Sequence, residues 1–175
     1  MAFYIRQKMS QLQYTHAAIW VIIAEALLGF GEKAVKYFSM INPIEHSKTK
    51  DSVTKYKVEP YIIPADIYGQ GNLAGRGGWT WYTGSSSWMY IAGIKYILGL
   101  NIENGYLCFN PCVSPNWKEY FIKYKYGKSI YNIKFINKNN NAENDKKIYL
   151  NGNIVKDNKI KLIDNSLVNN IEVEF

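Results

Sequence analysis

The chain is 175 residues long, and 47% of its residues are hydrophobic and 20% charged, a composition that excludes a wholly disordered protein. The formal net charge is +7, distributed as +3 in residues 1–60, +1 in residues 61–100 and +3 in residues 101–175. The excess positive charge therefore forms no stripe. Because a nucleic-acid backbone is bound by clustered cations, we expect no nucleic-acid partner.

Cysteine usage and hydropathy point to a soluble protein of a reducing compartment. Cys108 and Cys112 are too few for a disulfide framework, and one such pair is no zinc site. We therefore expect a cytoplasmic location, no metal and no cofactor. The most apolar stretch, residues 17–24, ends at Glu25 and is too short to cross a bilayer, so membrane insertion is not expected.

Three helices are predicted in the first hundred residues. They cover residues 14–28, 32–41 and 85–98. The first is apolar on nearly every side, which is typical of a helix buried among several neighbours. Gly29 and Gly99 follow the first and third helices, where a residue with positive φ commonly ends a helix.

The region between the second and third helices contains many helix-breaking residues. Residues 46–57 are polar and predict a linker. Residues 59–68 are predicted to be extended because Pro60 and Pro64 are incompatible with a regular helix or a central strand. Residues 69–78 include five glycines and predict a loop.

After Asn101 the hydrophobic period changes to two, which predicts β-strands. The predicted strands are residues 106–109, 120–126, 130–136, 147–150, 154–155, 160–163 and 170–175. Asn151-Gly152 is the dipeptide most typical of a type I′ hairpin turn. The predicted fold class is therefore α+β, with helices followed by a small antiparallel β-sandwich.

The segment WTWYTGSSSW, residues 79–88, offers a candidate anion site. Thr83 is a good helix N-cap, and the first amides of the helix that Gly84 opens have no intrahelical partner. Such a helix start can hold a phosphate, although an ordinary cap is the commoner role. Trp79 and Trp81 have rings suited to sugar faces, and burial in the core is an equally good interpretation for them.

Other polar residues near aromatic segments are weaker candidates. His16 begins the apolar helix, where a hydrogen-bonded core histidine is the more frequent role. Glu59 lies before Pro60 among aromatic residues, which suits an acceptor for sugar hydroxyls but equally a surface carboxylate. Asp66 and Arg76 are similar, less specific cases.

Several of these segments resemble blocks of glycoside hydrolase family 94, the inverting β-glycoside phosphorylases. The blocks are QYTHAAIW at 13–20, INP at 41–43, YKVEPYIIPADIY at 56–68, AGRGGWTWYTGSSSWMY at 74–90 and LGLNIENGYLCFNPCVSPNW at 98–117. They look most like the branch that contains 1,2-β-oligoglucan phosphorylase and the C-terminal part of cyclic β-1,2-glucan synthase. The dense match covers residues 13–136.

The resemblance implies an architecture and a set of ligands. Residues 1–100 would be the C-terminal part of an α/α-toroid catalytic domain, and residues 101–175 a C-terminal β-sandwich domain. His16, Thr83 and Gly84 match the family's phosphate-binding positions, and Glu59 matches a sugar-binding block. The family's general acid lies upstream of this chain, so no catalytic residue is assigned, and inorganic phosphate would be the co-substrate.

Three functional hypotheses follow. In the first, the chain is the C-terminal piece of an inverting phosphorylase or glycosyltransferase that acts on β-linked glucans, with β-1,2 the expected linkage. This piece would be inactive alone and completed by an upstream chain. Alternatively it is a stand-alone carbohydrate-binding module that uses exposed aromatics on its strands, for which Tyr124, Tyr126 and Tyr131 are candidates. The third hypothesis is a non-functional remnant of such an enzyme.

Overall fold

The computed structural model describes residues 12–81, 84–138 and 146–175. The chain divides into two compact units, one ending at Gly93 and the other running from Ile94 to Phe175. The division falls inside the last helical segment, whereas the change in sequence periodicity lies at Asn101. Each unit is described by itself below.

The first unit contains the predicted helices. They are α1 (Thr15–Leu27), α2 (Gly31–Ile41) and the start of the third, α4 (Ser85–Ile91). α1 is followed by Gly29 at φ 79°, as expected for a helix that ends on a glycine. The predicted third helix differs from expectation beyond Ile91, because Ala92–Ile97 continue it as a wider π-helical segment.

The predicted polar linker is wrong. Residues 46–57 instead contain most of the 3₁₀ turn Glu45–Ser47 and all of helix α3 (Lys50–Tyr56). Thr49 and Ser52 form a reciprocal capping box, with Ser52 N–H donating to Thr49 Oγ1 at 3.2 Å. Because Ser52 replaces the usual Glu or Gln of this motif, its sequence signal is weak.

The predicted extended segment, residues 59–68, is a strand only at its end. β1 (Leu12–Tyr14) and β2 (Asp66–Tyr68) form an antiparallel pair in which Tyr14 lies opposite Asp66. A short 3₁₀ turn, Gly71–Leu73, follows. The pairing sets the direction in which the chain enters α1, and the Thr15 amide donates to the Ala65 carbonyl at 2.9 Å.

The second unit contains two β-sheets. The strands are β3 (Leu100–Glu103), β4 (Tyr106–Phe109), β5 (Glu119–Tyr126), β6 (Ser129–Ile136), β7 (Lys147–Leu150), β8 (Asn153–Ile154), β9 (Lys159–Lys161) and β10 (Val168–Glu174). One sheet has the order β5-β6-β10-β7-β8 and the other the order β3-β4-β9. Of these strands, β3 was not predicted from the sequence.

The sheets are not wholly antiparallel, which corrects the predicted architecture. β10 pairs in parallel with β6, from Val168 opposite Ile130 to Glu174 opposite Ile136, and antiparallel with β7. β9 belongs to the other sheet, so the chain crosses between sheets before β10 and runs alongside β6 in the same direction. Period-two patterning specifies which face is buried but carries no information about strand direction.

Both sheets contribute to one hydrophobic core. Its buried members are Leu100, Leu107, Phe109, Tyr131, Ile133, Phe135, Ile148, Ile160, Leu162, Ile171 and Val173. The predicted hairpin turn is confirmed, since Asn151 and Gly152 join β7 to β8 with φ of 50° and 84°, the two positive values a type I′ turn requires. In the described residues, no helix has the length and hydropathy needed to cross a membrane.

A small core cluster of the first unit contains a buried tyrosine. Tyr56 packs with Val58, Ile62 and Ile67, and its ring stacks on His46 with centroids 4.7 Å apart. The hydroxyl is buried and has no hydrogen-bond partner among the described residues. Burial raises the pKa of Tyr56 to about 12, because a buried phenolate would lose its hydration.

We therefore expect the ionisation of Tyr56 to lower the stability of the wild-type protein at alkaline pH. The Tyr56→Phe variant should lack this contribution. The raised pKa means that Tyr56 ionises more readily in the unfolded chain than in the folded one. The contribution of neutral Tyr56 to the free energy of unfolding is therefore complete below pH ~10 and is lost as the pH rises through about 12. The full loss corresponds to roughly 2–3 kcal/mol. Urea denaturation between pH 8 and 11 should show a shallower decline for Tyr56→Phe than for the wild type. The exposed Tyr61→Phe serves as the control, and equal declines in both variants would contradict the assignment.

Candidate functional site

His16 lies in an aromatic cluster at the start of α1. Its ring stacks on Tyr14 with centroids 6.0 Å apart and contacts Trp20 edge-on at 5.1 Å. Trp88 of α4 lies 5.9 Å away and also packs against Trp20. The cluster fixes the imidazole, and its Nε2 is buried without a hydrogen-bond partner among the described residues. A fixed, unsatisfied nitrogen of this kind is suited to a ligand.

Gly84 lies beside this imidazole. A Cβ built on Gly84 would lie 3.9 Å from His16 Cε1, and Gly84 directly precedes α4. The structure thus brings together two residues that are 68 positions apart in the sequence. Thr83, the third predicted phosphate ligand and the predicted N-cap, lies outside the described residues. Gly84 itself has a helical φ of −73° and ψ of −2° at the start of α4.

A backbone network connects the His16 helix with the tryptophan segment. The Ala65 amide donates to the Trp79 carbonyl at 2.6 Å, and the Gly78 amide donates to the Asp66 carbonyl at 2.8 Å. The Trp79 amide donates to Asp66 Oδ1 at 3.3 Å. A Cβ at Gly78 would overlap the Asp66 carboxylate, so a larger residue at this position would require the Asp66 side chain to shift. Asp66, a weak sugar-site candidate by sequence, therefore has a structural role here.

The two predicted sugar-binding tryptophans are on the surface. Trp79 is 73% exposed and Trp81 is 72% exposed, and Trp81 has a φ of 66°. Neither ring is buried in the part of the chain that the structure describes. Positive φ is uncommon for a bulky residue, and it is found mainly where a turn or a function requires it.

Glu59 and Arg76 are exposed in irregular segments of the same unit. Glu59 lies in a turn in which its carbonyl oxygen accepts from the Ile62 amide at 3.1 Å. Arg76 uses its carbonyl oxygen in the same way, accepting from the Tyr68 amide at 2.9 Å. Both side chains are thus available at the surface, and their backbone groups hold the local turns.

Sequence analysis missed Tyr14 and Trp20, the residues that orient His16. The signal was present in the spacing, since His16 and Trp20 are four residues apart and share one face of α1. It was obscured because α1 is apolar on nearly every side, and no face stood out. Trp88 is from a different helix, so only the folded chain shows its contact with the imidazole.

Two ionisable side chains of the second unit, Cys112 and Tyr120, have raised pKa values. In the described ranges, no three His, Cys, Asp or Glu side chains are grouped as a metal site requires. Burial raises the pKa of the Cys112 thiol, which disfavours the reactive thiolate. Burial and, to a lesser extent, the neighbouring Cys112 also raise the pKa of Tyr120, whose hydroxyl donates to the Leu98 carbonyl at 2.7 Å.

Helix starts can bind anions, and exposed aromatic rings present apolar faces that suit sugars. Residues 3–99 match the catalytic domain of the glycosyl hydrolase 94 superfamily. Because this match covers more than half of the chain, the protein belongs to that superfamily. The resemblance noted in the motifs is thereby confirmed.

Similar proteins include a glucan synthase and several phosphorylases. A cyclic β-(1,2)-glucan synthase of Rhizobium meliloti is 48% identical over 108 residues, covering 62% of this chain and 4% of the relative. An N,N'-diacetylchitobiose phosphorylase of Vibrio proteolyticus is 31% identical over 142 residues, covering 79% of this chain and 17% of the relative. A solabiose phosphorylase of Paenibacillus borealis is 26% identical over 169 residues, and the match covers 21% of that protein. The chain thus spans about a fifth or less of these relatives.

Proposed function

We propose that this chain provides the phosphate-binding half of an inverting β-glycoside phosphorylase or glycosyltransferase site. The observation that carries the proposal is the buried Nε2 of His16 beside Gly84, which has no hydrogen-bond partner in the part of the chain that the structure describes. The family membership and the names of the relatives support phosphate and a β-linked oligosaccharide as ligands. The similarity to a β-(1,2)-glucan synthase favours a β-1,2-glucan.

The proposed reaction needs one proton donor and a positioned phosphate. A phosphate oxygen attacks the anomeric carbon as the glycosidic C–O bond breaks, and a carboxylic acid protonates the leaving oxygen. In this scheme His16, Thr83 and the Gly84 amide hold the phosphate in line for attack, without a metal or other cofactor. Such positioning converts an encounter of two substrates into a reaction within one complex.

On the sugar side, we assign binding roles to Trp79, Trp81 and Glu59. The tryptophan rings are exposed and present flat apolar faces, which sugar rings cover favourably. The Glu59 carboxylate accepts hydrogen bonds from hydroxyl groups. None of these residues is assigned a role as the general acid, which the resemblance places in an upstream segment.

Exposed apolar side chains on the first unit support completion by such an upstream segment. Trp20, Leu27 and Leu28 of the α1 region are more than half exposed, as is Met40 of α2. These four exposed apolar residues lie on or next to two helices that pack against each other, which suits a surface that further protein covers. We propose that the first unit is part of an α/α toroid with missing neighbours, that residues 101–175 are its C-terminal β-sandwich domain, and that the assembly is cytoplasmic.

The site in this chain alone is too weak for turnover. A helix start contributes roughly 0.3–1 kcal/mol to anion binding, whereas millimolar affinity corresponds to about 4 kcal/mol. We therefore expect the purified chain to release no glucose 1-phosphate from β-1,2-gluco-oligosaccharides and phosphate. Release by the chain alone would show that the general acid lies within it and would contradict the proposal.

Phosphate binding can be tested directly because the chain has two histidines. In an NMR titration with inorganic phosphate, the imidazole signals of His16 should shift with an affinity in the millimolar range or weaker. His46 is the internal control, since its Nε2 already bonds the Met40 carbonyl at 2.8 Å. Gly84→Ala should weaken the shift, because the added methyl would occupy the space beside His16 Cε1 in which we place the phosphate. The fold should be retained, because Gly84 has φ −73° and the methyl meets the protein only at ordinary contact distance. Equal shifts in both histidines would contradict the assignment.

A further inference from the structure

The outer face of the five-stranded sheet contains a groove that the phosphate half-site does not use. The groove has a volume of about 470 Å³, within the range of small-molecule sites, and lies entirely in the second unit. We call it the sheet groove and define it by Phe121, Asn132, Lys134, Tyr149, Asn170 and Glu172. These residues come from four adjacent strands, so the groove runs across the sheet.

Strand register places the lining residues in two rows. The first row crosses the sheet from β5 to β7. Phe121 of β5 lies opposite Lys134 of β6. Glu172 of β10 lies between Lys134 on one side and Tyr149 of β7 on the other. At about 4.8 Å per strand, the two aromatic residues are about 14 Å apart. That separation suits a chain of sugar rings better than a single ring. In the second row Asn132 lies beside Asn170.

Phe121 is the unusual member of this surface. Its side chain is 67% exposed in the middle of an eight-residue strand whose inward-facing neighbours, Tyr120 and Ile122, pack on the core. The Lys134 ammonium on the neighbouring strand lies 5.6 Å from the centroid of this ring, and most of the ring remains open to solvent. An apolar ring at the end of a concave surface is the kind of platform on which the C–H face of a sugar stacks.

The floor of the groove supplies neutral hydrogen-bonding groups. Asn132 Nδ2 donates to Asn170 Oδ1 at 3.1 Å, which orients the two side-chain amides beside each other. An amide has two donor hydrogens and two acceptor lone pairs, so this single bond leaves capacity on both residues. Paired amides of this kind match the mixed donor and acceptor character of sugar hydroxyls.

The charges of the groove compensate one another. Lys134 forms an ion pair with Glu119 at 3.0 Å, and its ammonium also lies 5.6 Å from the centroid of the Phe121 ring. Glu172 lies beside Lys134 on the neighbouring strand. The lining residues therefore carry one positive and one negative charge, and a lining with zero net charge favours a neutral ligand.

From these observations we infer that the sheet groove binds a neutral oligosaccharide, with Phe121 as the stacking platform and Asn132 and Asn170 as hydroxyl partners. The sheet groove shares no residue with the His16 site, and its binding of an oligosaccharide does not depend on the proposed reaction. It also differs from the tyrosines considered from the sequence. Tyr131 is 2% exposed and bonds the Ile163 carbonyl, and Tyr124 packs against the core.

The test is an NMR titration of the full-length ¹⁵N-labelled chain with a β-1,2-linked glucotriose. We expect saturable shifts confined to amides of β5, β6, β10 and β7, with a dissociation constant in the millimolar range. Phe121→Ala should weaken binding roughly tenfold. Val168→Ala is the matched control, because Val168 is 56% exposed on the same face but does not line the groove. His16→Gln should leave these shifts unchanged, so this site and the proposed phosphate site can fail independently.

Three results would overturn the inference. The first is the absence of saturable shifts at tens of millimolar oligosaccharide. The second is equal binding by Phe121→Ala and Val168→Ala. The third is a change of oligomeric state with Phe121→Ala in sedimentation velocity without any sugar-dependent shift, which would identify the face as a contact between copies of the chain.

Discussion

Phe135→Ala is expected to destabilise the second unit by about 3–5 kcal/mol, which is a large fraction of the stability of a small domain. Phe135 is completely buried at the centre of the core shared by the two sheets. Its ring stacks on Tyr120 with centroids 4.5 Å apart and meets Phe109 edge-on at 5.9 Å. Truncation removes both aromatic contacts and leaves a cavity that neighbouring strands cannot close.

Chemical denaturation followed by near-ultraviolet circular dichroism would measure this loss. Phe121→Ala is the matched control, since it deletes the same ring from the exposed face of the adjacent strand and should change stability by less than about 1 kcal/mol. A comparable loss in the two variants would mean that the two faces of β5 and β6 are assigned incorrectly.

Gly99→Ala is the second substitution with a large expected effect. Gly99 has a φ of 73°, and a Cβ there would overlap the backbone of Asn110 and Pro111. The Asn110 amide also donates to the Gly99 carbonyl at 2.7 Å, so the two segments cannot separate without losing this bond. Left-handed strain of ~1–2 kcal/mol combines with overpacking of ~1–3 kcal/mol, and we expect a loss of at least about 2 kcal/mol.

Gly105→Ala separates the two contributions. Gly105 has a φ of 80° but no heavy atom within 4 Å of a built Cβ, so its substitution costs only the backbone strain of about 1–2 kcal/mol. In thermal unfolding, the melting temperature of Gly99→Ala should therefore be well below that of Gly105→Ala. Equal melting temperatures would show that the Asn110–Pro111 segment moves away without cost.

Much of the candidate site was accessible from sequence because it is built from compact motifs. His16, Gly84, Trp79 and Trp81 were chosen from two short blocks, and the folded chain places His16 against Gly84. The neighbours that orient His16 were not accessible, because Trp88 approaches from another helix. The sheet groove was also missed, since its residues lie on four strands separated by up to about 50 positions.

Local physics explains what the sequence alone determined. Helices α1 and α2, most of the strands and the turn at Asn151-Gly152 depend on hydrophobic periodicity and backbone preferences within a few residues. The tertiary structure decided the parallel pairing of β6 with β10, the exposure of Phe121 and the burial of Tyr131. These three features depend on which distant segments of the chain pack together. The burial of apolar surface that drives such packing depends on both segments, so neither segment shows it in its own sequence pattern.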